Sequence, residues 1–239
     1  MRSWARGGRR PGPDTSKYMA IFDTYKEADA EEPSIGPDGV EKLCADMGVD
    51  PSDVTLLVLA WAMGASKMGY LTHQEWETGA GRLGGASSAA ELQKELQALY
   101  QALLGDIERF RDLHSFTHRF CREDPRRKNI DVNSAVVMLG LLFKPTWPAH
   151  ASSLCEYFSG HKQLVGRRAS PLPPPPEPES ASRCVRPQAQ RGVSHDEWMM
   201  ALQFCREILP DCSNFQDDGA WPVLLDDYVE WRRAKDGNA

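Results

Sequence analysis

Helix-start signals are the sequence feature that most restricts what this chain can fold into. In a capping box, a Ser or Thr hydroxyl accepts a backbone N–H of the first turn, and a Glu three residues later reaches back to the N-cap. The sequence contains three such strings: Thr72-His73-Gln74-Glu75, Ser88-Ala89-Ala90-Glu91 and Ser194-His195-Asp196-Glu197. Each string predicts that a helix begins there.

Further helices follow from capping residues and hydrophobic spacing. Asp131 is a candidate N-cap for a helix that runs to about Phe143, and Pro222 opens the last helix. The string 50–53 offers Asp50 as N-cap with Pro51 at the first helical position. The stretch 54–63 that follows is apolar on every face, which predicts a buried central helix. Strand-like alternation is nowhere sustained, so the predicted fold class is all-α.

Composition divides the chain into segments. Residues 1–16 form a predicted disordered basic arm, with four arginines and no apolar run of a secretory signal. Residues 17–163 and 193–233 carry the helical patterns, and 234–239 form a short tail. Between them, residues 164–192 contain seven prolines, which predicts a flexible insertion with polyproline II character. The sequence contains no run of 18 apolar residues, so no membrane span is predicted.

Charge is concentrated near the C-terminus. Residues 194–231 hold nine acids and one base, a net charge of −8 in a chain whose total is −6. This acidic segment favours a basic protein partner and argues against nucleic acid. A solvated helix surface explains the same composition and stays open as the alternative.

Cysteine usage indicates a reducing compartment, so we expect the protein in the cytoplasm or nucleus. No pair has C-x-x-C spacing, and most lie in helical patterns, as small hydrophobic residues would. A thiol enzyme using Cys44, Cys121 or Cys205 as nucleophile remains a minor alternative, because the sequence does not show which histidine lies nearby. The six cysteines are Cys44, Cys121, Cys155, Cys184, Cys205 and Cys212.

Helix–loop–helix units with an apolar residue in the loop are typical of EF-hands, which the ligand pattern can test. The loop 64–75 has Gly69 at position six and Glu75 at position twelve, as a calcium loop requires. Only one of positions one, three and five offers side-chain oxygen; they are Gly64, Ser66 and Met68.

Two other loops fit calcium even less well. Loops centred on Ile35 or Ile130 place Gly39 or Ser134 where the bidentate acid belongs. The sequence therefore predicts EF-hand-like geometry without metal or any other cofactor. A calcium-dependent adaptor remains the alternative function.

Two longer strings carry a resemblance to a known family. They are IGPDGVEKLCADMGVDPSDVTLLVLAWAMGA, followed by LTHQEW, between Ile35 and Trp76, and FQDDGAWPVLLDDYVEW between Phe215 and Trp231. Together they closely resemble the potentiating-neddylation domain of the defective-in-cullin-neddylation family, over residues 17–163 and 193–233. The resemblance implies two tandem EF-hand-like helical halves without metal, forming one compact superhelical domain.

The resemblance also implies a role. Such proteins are scaffold-type accessory factors, or co-ligases, that promote neddylation of cullins and perform no acyl transfer themselves. They bind the winged-helix C-terminal region of the cullin and the N-acetylated N-terminus of the neddylation conjugating enzyme, alongside the RING-box ligase subunit. No nucleic acid or membrane partner is implied.

The family motif places both binding sites on this sequence. The cullin-binding patch falls on Asp196, Ala220 and Asp226. The family motif also places a pocket for the conjugating enzyme on nine positions. The apolar residues at these positions are equally compatible with an ordinary hydrophobic core. Ser52, Met68, Leu71 and Met138 stand where alanine, glutamine, phenylalanine and tyrosine are usual. The pocket positions are Val40, Ser52, Leu56, Leu59, Met68, Leu71, Phe120, Met138 and Leu141.

Overall fold

The computed structural model describes residues 16–28, 32–122, 124, 126–161, 192–217 and 219–237. The predicted basic arm and the Pro-rich insertion lie outside the described residues, except for Ser16 and Gly192. Within this part the chain forms ten helices and four two-residue strands, which confirms the all-α prediction. None of these helices is long and apolar enough to cross a membrane. The chain divides into two compact units, Met1–Asp106 and Ile107–Ala239.

The first unit is built around a buried helix. Its helix α3 buries seven of its ten residues, as the apolar stretch predicted. The two short strands pair antiparallel, with Ile35 opposite Leu71. The elements are α1 Ser16–Tyr25, β1 Ser34–Ile35, α2 Pro37–Met47, α3 Val54–Met63, β2 Leu71–Thr72, α4 His73–Ala80 and α5 Ala89–Leu104.

The second unit repeats the same order of elements. Helix, strand, two helices, strand and helix follow one another in both units, and each unit then adds one more helix. Its strands also pair antiparallel, with Ile130 opposite Val193. The EF-hand-like description of the halves stays a prediction that this order favours. The elements are α6 Ile107–Phe120, β3 Asn129–Ile130, α7 Val132–Phe143, α8 Pro148–Gly160, β4 Val193–Ser194, α9 His195–Glu207 and α10 Val223–Lys235.

Most of the predicted helix starts are confirmed. The capping boxes at Thr72 and Ser194 are complete, with both reciprocal hydrogen bonds present. Asp131 caps α7 by accepting the amide of Ser134 at 3.0 Å. The box at Ser88 is only half formed, because the carboxylate of Glu91 accepts from Ser87 instead of from the N-cap amide.

The predicted N-cap at Asp50 is wrong. Its carboxylate accepts the amide of Ser52 at 2.8 Å, which closes a turn ahead of the helix. The N-cap of α3 is Asp53, which accepts the amide of Thr55 at 2.7 Å. Pro51 therefore lies in the turn and not at the first helical position. Two Asp residues compete for the same short stretch, and the one nearer the apolar run caps the helix.

Candidate functional site

Helix α9, which carries Asp196, is held to α6 by a reciprocal pair of hydrogen bonds. The indole Nε1 of Trp198 donates to the carbonyl of His114 at 2.7 Å. The imidazole Nε2 of His114 bonds the carbonyl of Trp198 at 2.8 Å. The two rings stack with centroids 4.5 Å apart and an interplanar angle of 9°. Because both side chains are fully buried, this pair fixes the first turns of α9 to α6.

Two further buried histidines hold the segments at either end of α9. His118 Nε2 bonds the carbonyl of Val193 at 3.1 Å, and His150 Nε2 bonds that of Ile208 at 2.9 Å. A carbonyl only accepts, so Nε2 carries the proton in each ring. Burial lowers the pKa of His114 to about 3 and that of His118 to about 4, so both rings are neutral at pH 7.

The sequence did not reveal these structural roles. Its only signal was the four-residue spacing of His114 and His118 on one helix. Their carbonyl partners lie 84 and 75 residues away along the chain.

The predicted cullin-binding residues lie at the starts of two helices of the second unit. Asp196 is exposed in the first turn of α9, where its charge also favours the positive helix end. Its neighbour Glu197 is engaged in the capping box. Asp226 is half-buried in the first turn of α10, and Ala220 is exposed just ahead of the N-cap Pro222. Helices α9 and α10 contact each other.

The predicted pocket residues are mostly not ordinary core. In the first unit, Leu59 and Leu71 are buried, while Met68 is 50% exposed. Ser52 is exposed and binds Asp50 through its hydroxyl. The remaining apolar positions are half-buried: Val40 and Leu56 in the first unit, and Phe120, Met138 and Leu141 in the second. Partial exposure is typical of apolar side chains that line a surface site, and the pocket assignment itself stays a prediction.

The candidate calcium loop is closed by protein hydrogen bonds. Glu75 Oε1 accepts the amide of Ser66 at 2.8 Å, and Oε2 accepts that of Thr72 at 2.9 Å. Burial would raise the pKa of Glu75, but these hydrogen bonds outweigh it and hold the pKa below its usual range. Both carboxylate oxygens are thus engaged within the loop. No group of three His, Cys, Asp or Glu side chains in the described ranges is arranged to hold a metal ion.

The three cysteines considered as nucleophiles have raised thiol pKa values, whereas a catalytic cysteine has a lowered one. Burial raises the pKa of Cys121 to about 12 and raises that of Cys44 and Cys205 as well. A nucleophilic cysteine needs a lowered pKa, because the thiolate is the reactive form. Cys44, Cys121, Cys155, Cys205 and Cys212 are all free thiols, and Cys184 lies outside the described residues.

Comparison with known proteins adds to these observations. A family model described as "Cullin binding" matches residues 91–231. DCN1-like protein 4 of Danio rerio is 36% identical over 202 residues, covering 84% of this chain and 61% of that protein. DCN1-like protein 5 of Rattus norvegicus is 32% identical over 93% of this chain and 80% of its own length. DCN1-like protein 5 of Homo sapiens is 33% identical over 92% and 79%.

The all-α fold and the matched domain define the class of this molecule as a helical protein with a cullin-binding domain. The chain belongs to the DCN1-like, or defective-in-cullin-neddylation, family.

Proposed function

We propose that this protein is a scaffold-type accessory factor, or co-ligase, that promotes neddylation of cullins. One observation carries the proposal: the matched cullin-binding domain contains the starts of α9 and α10, where Asp196, Ala220 and Asp226 lie at least partly exposed. These residues belong to the segment of net charge −8. A basic surface is the complementary partner of such a segment.

The proposed mechanism is one of proximity. Carboxylates of Asp196 and Asp226 form charge-assisted hydrogen bonds with Lys or Arg of the winged-helix C-terminal region of the cullin. The small side chain of Ala220 lets the partner approach the backbone closely. A second contact, with the conjugating enzyme, raises the effective concentration of its thioester near the cullin lysine and the RING-box subunit. The protein itself supplies no group that forms or breaks a bond.

Charge reversal at Asp226 tests the cullin contact. We expect Asp226→Lys to weaken binding of a purified cullin C-terminal domain at least about thirtyfold, because it places a cation against a basic partner. Calorimetry measures the affinity, and circular dichroism checks that the helices persist. Glu207→Lys is the matched control. It makes the same charge change at the C-terminal end of α9, at the other end of that helix from Asp196. Wild-type affinity in Asp226→Lys, or equal losses in both variants, would show that the patch assignment is wrong.

An acetylated peptide tests the proposed pocket for the conjugating enzyme. Half-buried apolar side chains such as Val40 and Leu56 suit a neutral acetylated methionine, whereas a free ammonium would have to be desolvated. We expect the acetylated N-terminal peptide to bind at least about tenfold more tightly than the same peptide with a free amine. Fluorescence anisotropy measures both. Equal affinities, or binding of neither peptide, would remove the pocket from the proposal and leave the cullin contact to be judged separately.

A further inference from the structure

Helix α10 has a buried face and a solvent face. Leu224, Leu225, Tyr228 and Val229 are buried. Residues three, four and seven positions apart lie on one face of a helix. The opposite face of α10 therefore consists of Val223, Asp226, Asp227 and Glu230, and we call this set the α10 face.

An apolar residue occupies the first position of this acidic face. Val223 is 42% exposed, and Asp226 and Asp227 lie one turn further along the helix. Few large apolar side chains in the described part of the chain are this exposed; the others are Met68, Val137 and Leu209. A β-branched residue in the first turn is not among the best helix formers, so helix propensity does not explain this valine.

The bases at the end of α10 are engaged with other groups, and Lys235 pairs with Glu156. Arg232 pairs with Asp236 at 3.0 Å, and Arg233 donates to the carbonyls of Cys212 and Phe215. Burial, together with the charges of Asp227 and Glu230, raises the pKa of Tyr157 to about 12. The face therefore presents a valine in a negative field.

We propose that Val223 is an apolar anchor of the cullin-binding surface, and that the α10 face receives a basic segment of the cullin whose apolar side chain rests on Val223. The inference rests on the proposed function and deepens it. Continuity with Asp226 argues for the same partner, because one helix turn separates the two side chains. Charge complementarity argues for flanking Lys or Arg residues that meet Asp226, Asp227 and Glu230.

The two kinds of contact have different kinetic signatures. Exposed charges accelerate association and make it dependent on salt, whereas a desolvated apolar anchor mainly slows dissociation. Binding energy is usually concentrated in a few well-packed residues surrounded by a polar rim that excludes water. Val223 has the character of such an anchor, with the three carboxylates as its rim.

The test is the substitution Val223→Thr, which keeps the shape of the side chain and replaces one methyl group by a hydroxyl. We expect dissociation from a purified cullin C-terminal domain to be about tenfold faster, with the association rate and its salt dependence unchanged. Surface plasmon resonance at several salt concentrations measures all three. Val137→Thr is the matched control, because Val137 is a valine of α7 that is 54% exposed. Thermal melting confirms that both variants fold.

Each outcome separates this inference from the proposed function. Faster dissociation of Val223→Thr alone supports the anchor. Unchanged dissociation of Val223→Thr, while Asp226→Lys fails to bind, overturns the anchor and leaves the cullin contact standing. Equal effects of Val223→Thr and Val137→Thr, or a change in association rate only, also overturn it. If the wild-type protein does not bind the cullin domain, the proposed function fails and the anchor fails with it.

Discussion

Replacing Trp198 by alanine is expected to lower the free energy of unfolding by about 3–5 kcal/mol. The indole is fully buried, and its removal leaves a cavity beside the imidazole of His114, on which it stacks. The hydrogen bond from the indole N–H to the carbonyl of His114 is also lost. Because this contact ties α9 to α6, we expect Asp196 to lose its fixed position and cullin binding to weaken at the same time.

Chemical denaturation of Trp198→Ala and Trp198→Phe measures the effect and separates its causes. The phenylalanine keeps most of the apolar volume and lacks the N–H donor, so it should cost about 1–3 kcal/mol. Trp76→Ala is the matched control in the first unit, because its buried indole donates to the carbonyl of Tyr18 at 2.8 Å. Trp76→Ala should lower the free energy of unfolding by a comparable amount. At equal concentrations of folded protein, it should lose less cullin affinity than Trp198→Ala. A loss of unfolding free energy below about 1 kcal/mol in Trp198→Ala would show that the Trp198–His114 pair does not hold α9 to α6.

Acidification below pH 6.5 is expected to unfold the second unit before the first. Burial lowers the pKa of His114 to about 3, that of His118 to about 4, and that of His150 below its ordinary value of 6.5. The folded state therefore keeps these rings neutral, while the unfolded chain takes up protons as the pH falls through 6.5. The contribution of these rings to the free energy of unfolding is therefore fully present above the unfolded-state pKa of about 6.5 and is lost as the pH falls below it. His114 alone contributes a slope of about 1.4 kcal/mol per pH unit, and the other two act in the same direction.

The first unit has no counterpart of the two histidines on α6. Trp76 donates to the carbonyl of Tyr18 as Trp198 does to that of His114. The ring centroids of Phe22 and Trp76 are 6.0 Å apart, and those of His118 and Trp198 are 6.1 Å apart. The same positions thus hold Tyr and Phe in one unit and two imidazole rings in the other, and only the imidazoles have an ordinary pKa near 6.5.

Hydrogen exchange between pH 7 and 5 measures this difference, since most carboxylates stay ionised over that range. We expect amides of α6 and α9 to lose protection while those of α1 and α4 keep it. His118→Phe, which copies Phe22, should shift the acid transition to lower pH. Earlier loss of protection in the first unit, or an unshifted transition in His118→Phe, would contradict the role assigned to these rings.

Most of the helix starts that local signals in the sequence predicted are confirmed. The capping boxes at Thr72 and Ser194 and the N-cap at Asp131 depend on hydrogen-bond partners within three residues. Both partners therefore lie in one short sequence motif. The error at Asp50 arose because a second Asp three residues later satisfies the same rule. Such competition is settled by which residue lies closest to the packed helix.

The candidate site was predicted by family motif rather than by composition or periodicity. Asp196, Ala220 and Asp226 lie at helix starts with partial or full exposure, as a binding surface requires. The exposure of Met68 could not be read from the sequence, because an apolar residue in a loop is compatible with either core or surface. The apolar character of Val223 likewise does not show that it lies on the solvent face of α10.

The sequence by itself therefore determined the all-α fold class, several helix starts and the acidic character of the C-terminal segment, because each depends on neighbours within one or two turns. Only the tertiary structure decided that His114 and His118 are neutral and buried, since their carbonyl partners are more than seventy residues away. It also decided which face of α10 meets solvent. Burial depends on which helices pack together, and that is set by long-range contacts that local capping and periodicity do not specify.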